Sequence, residues 1–474
     1  MSKSNGSRRH GKLALVAAIA IGSLAALVPG QAATAVEAVP DGYNKINSVD
    51  AVPAATAGKK GPDHVLFWER AMLQATREAG GIAGPITRGG ALLNIAVYDT
   101  VNSIHPVGSP YLSRSRELYG RYGALDPAID YAAYTALKEA FPTVNLEDDL
   151  AAALALPTSA TNRDKELGKA QGTKIANALI AHRADDGSAD TTPYTPVMSP
   201  GHWRPTTPGV AAGGPNWGKV KPWVISAGDK YRPAKPGGFE TPEALLSSDL
   251  YADQLNEVKS LGAADSTVRT ADQTQIARFW ANDVNGSYKP TGQQYDHTLV
   301  VLQKYKPNAS SFYTAKLFGI LSVALADAAI SAWDTKWNTG FDLWRPQSAV
   351  REAANDYNDN TIGDPGWQPT SKDANGVHFS PPFPAYQSGH STFGATWAGI
   401  MKNWFGTDTM PYEGTTDDPN ARGVTRHVSS FSAAAAENAI SRLYNGVHFR
   451  FDTVAGVAGG QKISADVWNA RPLG

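Results

Sequence analysis

Apolar residues recur at three- and four-residue steps along most of the chain, and this spacing predicts helices. The predicted helices cover residues 65–76, 86–101, 127–141, 146–156, 164–183, 242–261, 266–280, 311–334, 390–404, 432–444 and about 453–468. Segment 311–334 is apolar nearly all round, which is typical of a buried central helix. Gly456 and Gly460 in the last helix are spaced to let a neighbouring helix approach closely.

Two intervals lack this periodicity. Residues 185–241 are rich in Pro, Gly and Trp, and residues 355–380 are also loop-like. Disordered segments rarely hold many tryptophans, so the first interval is predicted to be a long ordered loop packed on helices. The predicted fold class is mainly α, with helical bundles (two four-helix-bundle-like units) and long Pro/Gly/Trp-rich loops.

Helix ends are predicted from capping chemistry. Asp126 followed by Pro127 indicates an N-cap and first helical position for the helix at 127–141. In the N-terminal half, no segment alternates apolar and polar residues as a half-buried strand does.

The N-terminus has the pattern of an export signal. A basic start at Arg8 and Arg9 precedes an apolar run over 13–28, and Ala33-Thr34-Ala35 resembles a small-residue cleavage site. The run is short for a bilayer span, and no later segment looks apolar enough to cross a membrane. We expect a secreted protein, cleaved near Ala35, without a membrane span in its mature form.

The expected organisation is a signal peptide over 1–35, a flexible lead over 36–61 and a single all-α domain over 62–474. The residues that can carry chemistry concentrate in its second half, about 266–474.

Composition narrows the function classes. The 474-residue chain has a formal net charge of −1 with dispersed basic residues, which argues against a nucleic-acid surface. It contains no cysteine, so disulfides, zinc–thiolate sites, iron–sulfur clusters and thiol catalysis are excluded.

The segment 441–452 contains an arginine, an imidazole and a carboxylate at short offsets: Arg442, His448 and Asp452. A guanidinium matches an oxyanion bidentately, and a histidine can attack phosphorus or bind a metal through one nitrogen. Asp452 is a candidate for orienting this region. Alone, the segment fits a helix with an exposed arginine and a half-buried histidine better.

Ser388-Gly389-His390 precedes the predicted helix at 390–404. A helix N-terminus with glycine ahead of it can bind an anion through its free amides, with His390 as general acid or base. The alternative is an ordinary turn capped by a serine.

Lys336 and Arg345 lie on either side of an aromatic segment, and Pro346 follows the arginine. Together with the two preceding blocks they would surround a tetrahedral oxyanion. For either residue taken singly, the alternative is a solvated lysine or an arginine paired with Asp342 or Glu352.

The order Lys…Arg-Pro, Ser-Gly-His, Ser-Arg-x5-His-x3-Asp resembles the superfamily of vanadium-dependent haloperoxidases and type 2 phosphatidic acid phosphatase-like acid phosphatases. The third block matches completely, and the second has Gln387 where proline is usual. In the first block eight residues separate Lys336 from Arg345, where the family usually has six. Trp333-Asp334-Thr335-Lys336 resembles the family's Trp-x-x-Lys.

The longer context is similar to the chloroperoxidase-type branch. The segments 326–334, 381–386 and 279–283 carry this likeness, and the last supplies Asp283 as a partner for Arg442.

The resemblance implies a haloperoxidase that uses vanadate, without haem or flavin. It implies that His448 coordinates vanadate and that Lys336, Arg345, Arg442, Ser388 and the Gly389 amide hold its oxygens. His390 would handle protons, Trp333 and Phe383 would line the halide side, and Asp283 and Asp452 would support the site. The implied substrates are hydrogen peroxide, a halide (bromide, with chloride as a second candidate) and a small organic acceptor.

Two other functions stay open from the sequence. The same residues permit phosphoester hydrolysis through a phosphohistidine on His448, with His390 protonating the leaving group. A non-catalytic secreted protein that binds phosphate or a cell-wall component through its aromatic-rich loops would need the cations but not His390. Halide preference, organic substrate and oligomeric state are not determined by these motifs.

Overall fold

The computed structural model describes residues 63–474, and helices dominate that part of the chain. The helices are α1 (His64–Ala79), α2 (Ala83–Ile104), α3 (Leu125–Ala140), α4 (Glu147–Ala155), α5 (Asn162–His182), α6 (Pro242–Leu246), α7 (Asp249–Leu261), α8 (Ala271–Phe279), α9 (Lys289–Tyr305), α10 (Ser311–Trp337), α11 (Pro346–Arg351), α12 (Gly389–Phe405), α13 (Phe431–Tyr444) and α14 (Arg450–Ala470). The predicted signal peptide and lead lie outside the described residues.

Two helical bundles share one helix. In the first, α2, α3 and α5 pack on one another and α2 packs on α10. In the second, α12 packs on α13 and α14 and also on α10. The prediction of a mainly helical fold built from bundles is confirmed.

The shared helix α10 is 27 residues long and buried over nearly all of its surface. By length and hydropathy it could cross a membrane, contrary to the expectation that no later segment is apolar enough. In the folded protein, 94% of its most apolar window is buried inside the molecule. Its apolar surface is therefore covered by the two bundles, as the all-round apolar pattern predicted.

The close approach predicted at Gly456 and Gly460 is confirmed. A Cβ atom at Gly456 would lie 2.6 Å from the Ser388 carbonyl oxygen, and one at Gly460 would lie 2.4 Å from that of Thr392. Any side chain at either position would force α12 away from α14. These two glycines therefore hold the start of α12 directly against α14.

The long segment 185–241 is ordered and fixed to α10. The Asp327 carboxylate accepts three consecutive backbone amides, from Trp223, Val224 and Ile225, at 2.6–2.9 Å. Arg232 forms two hydrogen bonds with Asp334, about two turns further along α10. The prediction of an ordered loop packed on helices is thus confirmed.

Several boundaries differ from the sequence predictions. The predicted helix at 242–261 is two helices, because the Ser248 hydroxyl caps the Tyr251 amide and restarts the chain as α7. The predicted N-cap at Asp126 is wrong, since α3 begins at Leu125 after a short 3-10 turn and places Asp126 inside its first turn.

Three kinds of element were not predicted. The first half of α9 is polar and buried, so its apolar spacing is weak, and α11 has only six residues. The strands β1 (Tyr412–Gly414) and β2 (Arg426–Val428) are three residues each and pair antiparallel, with Tyr412 opposite Val428.

Candidate active site

The three motif blocks meet at one place between the helix ends. Lys336 is at the C-terminal end of α10, Arg345 precedes α11, and Ser388 caps α12. Arg442 is in the last turn of α13, and His448 lies in the short connection to α14. The Ser388 amide donates to the Asp452 carbonyl oxygen at 3.0 Å, which ties the second block to the third.

His448 is held between an acceptor and a donor. Its Nδ1 is 3.0 Å from the Asp452 carboxylate, and its Nε2 is 3.0 Å from Nη1 of Arg345. Because a guanidinium only donates, Nε2 must be the unprotonated nitrogen and Nδ1 must carry the hydrogen. Burial, and then the charge of Arg345, hold the pKa of His448 well below its usual value. The imidazole is therefore neutral and presents a lone pair on Nε2.

Asp452 stabilises this tautomer from the first turn of α14. Its Oδ2 also accepts the Phe449 amide at 3.0 Å, so it both starts the helix and orients the imidazole. Burial raises the pKa of Asp452 to about 7, against the opposing charge of Lys336. The predicted role of Asp452 in orienting this region agrees with these contacts.

Arg442 has one nitrogen paired and two free. Its Nη2 donates to Asp283 Oδ2 at 2.5 Å, while its Nε and Nη1 are buried without a hydrogen-bond partner among residues 63–474. Burial alone would raise the pKa of Asp283, but the charge of Arg442 lowers it overall. The predicted Asp283–Arg442 pair is present, and it leaves two N–H groups for another acceptor.

Arg345 is similarly incomplete. Its Nε donates to the Phe383 carbonyl oxygen and its Nη1 to the Val447 carbonyl oxygen, both at 2.7 Å. Its Nη2 is buried and has no partner in the described chain. Burial lowers the pKa of Arg345 to about 9. The predicted alternative, an ion pair with Asp342 or Glu352, is not formed: Glu352 pairs with Arg204, and Asp342 with His202.

His390 occupies the first turn of α12. Its Nε2 is 2.8 Å from the Ala281 carbonyl oxygen, so Nε2 carries the hydrogen and Nδ1 is the accepting nitrogen. Its Nε2 is also 4.0 Å from the Asp283 carboxylate. Burial lowers the pKa of His390 to about 3, and the charge of Arg442 acts in the same direction. This second imidazole is also neutral.

The start of α12 supplies the backbone donors that Ser388-Gly389-His390 predicted. The Ser388 hydroxyl accepts from the Ser391 amide and caps the helix. A Cβ atom at Gly389 would lie 3.3 Å from the Trp333 ring, so glycine keeps this turn close to the aromatic side chains. The first amides of α12 have no carbonyl of their own helix to bond.

Trp333 and Phe383 form an aromatic wall beside these groups, with ring centroids 4.9 Å apart. The indole nitrogen of Trp333 donates to the Gly213 carbonyl oxygen at 2.9 Å, which fixes the ring through the long loop 185–241. The wall faces a pocket of about 280 Å³ that is also lined by Arg442, His390 and His448. The wall and the oxyanion groups therefore share one cavity.

Lys336 is buried in the same region, but its hydrogen bonds go to the backbone. Its Nζ donates to the carbonyl oxygens of Pro384 (2.7 Å), Ala385 (3.1 Å) and Gln387 (2.5 Å). Its ammonium also lies 5.2 Å from the centroid of the Phe383 ring. The predicted contact of Lys336 with a bound anion stays a prediction.

The sequence analysis did not identify Lys289, which lines the pocket together with Asn285. Lys289 has a φ of 63°, the left-handed region that a non-glycine residue rarely adopts. The only sequence signal was a Lys-Pro pair six residues after Asp283, at the start of a helix that was not predicted. Phe393, stacked 6.4 Å from Trp333, was also missed.

The arrangement fits an oxyanion such as vanadate or phosphate. Four cationic side chains (Lys289, Lys336, Arg345 and Arg442) and two carboxylates (Asp283 and Asp452) lie in this region. Three guanidinium nitrogens of Arg345 and Arg442 are buried without partners in the described chain, and α12 begins at the pocket. Burying such donors unpaired is costly, so an anion with several oxygens would satisfy them. Fold and site together define a helical-bundle protein with a buried oxyanion pocket.

Comparison with known proteins narrows that class. Residues 316–471 match the family model of the VCPO second helical-bundle domain. The chain is 27% identical over 491 aligned positions to the vanadium chloroperoxidase of Curvularia inaequalis, covering 83% of this chain and 79% of that protein.

Solved structures agree with the fold. The first bacterial vanadium-dependent iodoperoxidase superposes with a TM-score of 0.69 and 22% identity, covering 86% of this chain and 96% of that one. A holo-type bacterial vanadium-dependent chloroperoxidase gives a TM-score of 0.62 and 15% identity, with coverage of 89% and 96%. The resemblance carried by the three motif blocks is confirmed: the chain is similar to a vanadium chloroperoxidase over most of its length and has the fold of the vanadium haloperoxidases.

Proposed function

We propose that this protein is a secreted haloperoxidase that binds vanadate and oxidises bromide with hydrogen peroxide. The products are hypohalous acid equivalents that halogenate small organic substrates. The observation that carries the proposal is the unprotonated Nε2 of His448, held beside Arg345 and within the same pocket as the two free nitrogens of Arg442.

The residues present fit vanadate. Nε2 of His448 would be its ligand, and the free nitrogens of Arg345 and Arg442, the Ser388 hydroxyl and the Gly389 amide would hold its oxygens. When bound, vanadate supplies Lewis-acid activation of peroxide without changing oxidation state. Asp452 keeps Nδ1 of His448 protonated, so Nε2 carries the lone pair. In this structure that lone pair accepts from Arg345 Nη1, and a bound vanadate would take the place of this hydrogen bond.

His390 is placed to move protons. Because Nε2 donates to Ala281, Nδ1 is the nitrogen that can accept a proton from peroxide. Burial and the charge of Arg442 lower its pKa to about 3, so at neutral pH the imidazole is unprotonated and Nδ1 keeps its lone pair. Asp283, which pairs with Arg442, lies close enough to steady a protonated His390.

The aromatic wall would receive the halide. A halide is weakly hydrated compared with a carboxylate, and the edges of Trp333 and Phe383 are electropositive. The relatives compared above are a chloroperoxidase and an iodoperoxidase, and the aromatic wall is our candidate for the part of this pocket that selects the halide. We propose bromide as the first substrate and chloride as the second to be tested.

An acid phosphatase is the second candidate function. A neutral histidine oriented by Asp452 is also a good nucleophile for phosphorus, and the arginines would stabilise the equatorial oxygens. His390 would have to be protonated to act as the acid for the leaving alkoxide, and the negative charge of a bound phosphate would favour its protonated form. Whether the purified protein oxidises halides or hydrolyses phosphoesters decides between the two functions.

The experiment is halogenation of a generic acceptor by purified protein loaded with orthovanadate, with peroxide and bromide, then chloride. Vanadate-dependent turnover that disappears in His448→Ala supports the haloperoxidase. Lys316→Met is the control for general damage to the fold, because Lys316 lies near the start of α10, at the opposite end from the pocket. No turnover with either halide, together with aryl phosphate hydrolysis that vanadate inhibits, would favour the phosphatase.

Secretion and domain organisation belong to the same proposal. We expect the chain to be cleaved near Ala35 and the mature protein to act as one domain from about residue 62. N-terminal sequencing of exported protein tests this expectation. A mature N-terminus that retains residues 13–28 would contradict it.

A further inference from the structure

His202, in the long loop 185–241, lies between two carboxylates. Its Nδ1 is 2.6 Å from Asp342 Oδ1, and its Nε2 is 2.9 Å from Glu243 Oε1. An ionised carboxylate only accepts hydrogen bonds, so both ring nitrogens must donate and the ring must carry a positive charge. Burial alone would lower the pKa of His202, but the hydrogen bonds and charges of Asp342 and then Glu243 raise it overall. This imidazolium therefore differs from the two neutral imidazoles of the pocket.

The partners of His202 come from separate parts of the chain. Asp342 lies in the connection between α10 and α11, and Glu243 lies in the first turn of α6. The other oxygen of Asp342 accepts the hydroxyl of Tyr194, from the beginning of the long loop. Arg204, two residues after His202, forms its ion pair at the end of α11 instead. The charged groups that face His202 are the two carboxylates.

The backbone held by this cluster leads directly to Arg345. On one side, segment 342–344 forms two backbone hydrogen bonds with residues 201–203, with N···O distances of 2.6 and 2.9 Å. On the other side, the Leu343 carbonyl oxygen accepts the amide of Ala385, in the segment before α12, at 2.8 Å. Segment 342–344 is therefore fixed between the long loop and the start of α12, and Arg345 is the next residue.

We propose that His202 is a positioning residue for Arg345: its imidazolium ties segment 342–344 to the long loop and to α6, and so fixes the guanidinium that faces the bound oxyanion. The inference deepens the proposed function and rests on it for the identity of that anion. A neutral imidazole has a single N–H group, so deprotonation would leave one carboxylate facing a lone pair. Because Arg345 Nη1 also lies 3.0 Å from His448, a displaced guanidinium would disturb the histidine too.

The test measures anion binding rather than turnover. Equilibrium dialysis of inorganic phosphate and of orthovanadate is carried out on the full chain from about pH 6 to about pH 9, above and below the ordinary pKa of histidine. His202→Gln keeps one donor but does not titrate, so it imitates the neutral ring at every pH. The ratio of wild-type to variant affinity at each pH cancels the ionisation of the anions. His427→Gln is the matched control, since His427 also pairs with a glutamate, at 2.8 Å, but lies in β2 and does not line the pocket.

Near pH 6 we expect the wild type to bind both anions ~3- to 10-fold more tightly than His202→Gln, as for changes that act through neighbouring residues. The ratio should fall towards one as the pH rises, because the wild-type ring then loses its second N–H group. Glu243→Gln should move this fall to lower pH, since removal of one carboxylate lowers the pKa of His202. His427→Gln should bind as the wild type does. A ratio that does not change with pH, whether larger than one or equal to one, would overturn the proposal.

A second measurement does not depend on the anion. Hydrogen exchange in peptides that cover residues 341–345 and 383–388 reports on the backbone hydrogen bonds around Arg345. We expect faster exchange in His202→Gln than in the wild type near pH 6, and equal exchange near pH 9. If the wild type binds neither anion, the proposed function fails, and this measurement alone decides the role of His202. Equal exchange in the two proteins at both pH values would overturn the proposal.

Discussion

His448 and His390 are both buried, neutral imidazoles of one pocket, yet they are held in opposite ways. His448 donates from Nδ1 to a carboxylate and presents Nε2, whereas His390 donates from Nε2 to a carbonyl and keeps Nδ1 as its acceptor. A carboxylate partner raises the electron density of the ring and suits a ligand or nucleophile. A carbonyl partner only fixes the ring, which suits a group that exchanges protons. The acceptor of each ring's N–H group, a carboxylate for His448 and a carbonyl for His390, therefore separates the two roles.

The largest effect should follow removal of the His448 ring. We expect His448→Ala to abolish vanadate-dependent turnover, because no other residue of the pocket offers a neutral nitrogen beside Arg345. Halogenation with bromide measures this. Turnover of His448→Ala above one-tenth of the wild-type rate would contradict the role of His448 as the vanadate ligand.

His390 should affect rate rather than affinity. We expect His390→Ala to lower kcat by ~10²- to 10⁴-fold, the range for loss of a general acid or base. Anion affinity should change little, because the Ala281 carbonyl and not the anion holds the ring. Kinetics and phosphate dialysis on the same sample separate the two quantities. An affinity loss as large as the rate loss would make His390 a binding residue.

A substitution at Asp452 tests whether its carboxylate is the cause of the different roles of His448 and His390. Asp452→Asn keeps the size and can still accept one hydrogen bond, but it removes the charge that supports His448. We expect vanadate affinity to fall by ~10- to 100-fold, as for other partners of ligating histidines. Asp283→Asn, which removes a carboxylate beside His390 and Arg442, is the matched control and should cost less affinity.

The low pKa of His390 predicts a smaller effect on stability. Between about pH 6.5 and pH 3 the unfolded chain binds a proton on this histidine and the folded chain does not, so its contribution to stability falls as pH falls. His390→Gln should therefore reduce the loss of unfolding free energy between pH 7 and pH 5 by about 1–2 kcal/mol. Urea unfolding at both pH values measures this. An unchanged difference would mean that His390 titrates normally.

The aromatic wall should give the smallest effect. Trp333→Phe removes the hydrogen bond to Gly213 but keeps an aromatic ring against Phe383. We expect the KM for bromide to rise by a few-fold, consistent with one lost hydrogen bond of about 1 kcal/mol, with vanadate affinity unchanged. Halide titrations at fixed peroxide test it. Loss of vanadate affinity would show that the wall supports the oxyanion groups instead.

The sequence predicted most of the helices and the candidate residues but not the details that separate their roles. The apolar pattern of 311–334 identified the central helix, because a helix shared by two bundles must be apolar on every side. The polar first half of α9 hid that helix, since its side chains are buried by hydrogen bonding rather than by apolar packing. Periodicity cannot detect such a segment.

The candidate site was predictable as a set of residues and not as a hydrogen-bond network. Motif order brought Arg442 and His448 together with Arg345. In the structure Arg442 and His448 line one pocket, and Arg345 contacts His448. The partner of each histidine is different in kind: Asp452 is four residues from His448, whereas the Ala281 carbonyl is 109 residues from His390. Backbone carbonyls carry no sequence signature, and neither does the left-handed conformation of Lys289.

The measurement that tests the account most directly is equilibrium dialysis of orthovanadate against wild type, His448→Ala and His390→Ala in parallel. The account predicts that His448→Ala loses vanadate binding by more than the ~10- to 100-fold that removal of a supporting partner costs. It predicts that His390→Ala keeps the wild-type affinity within a few-fold. Equal losses in both variants, or a larger loss in His390→Ala, would contradict the assignment of His448 as the ligand.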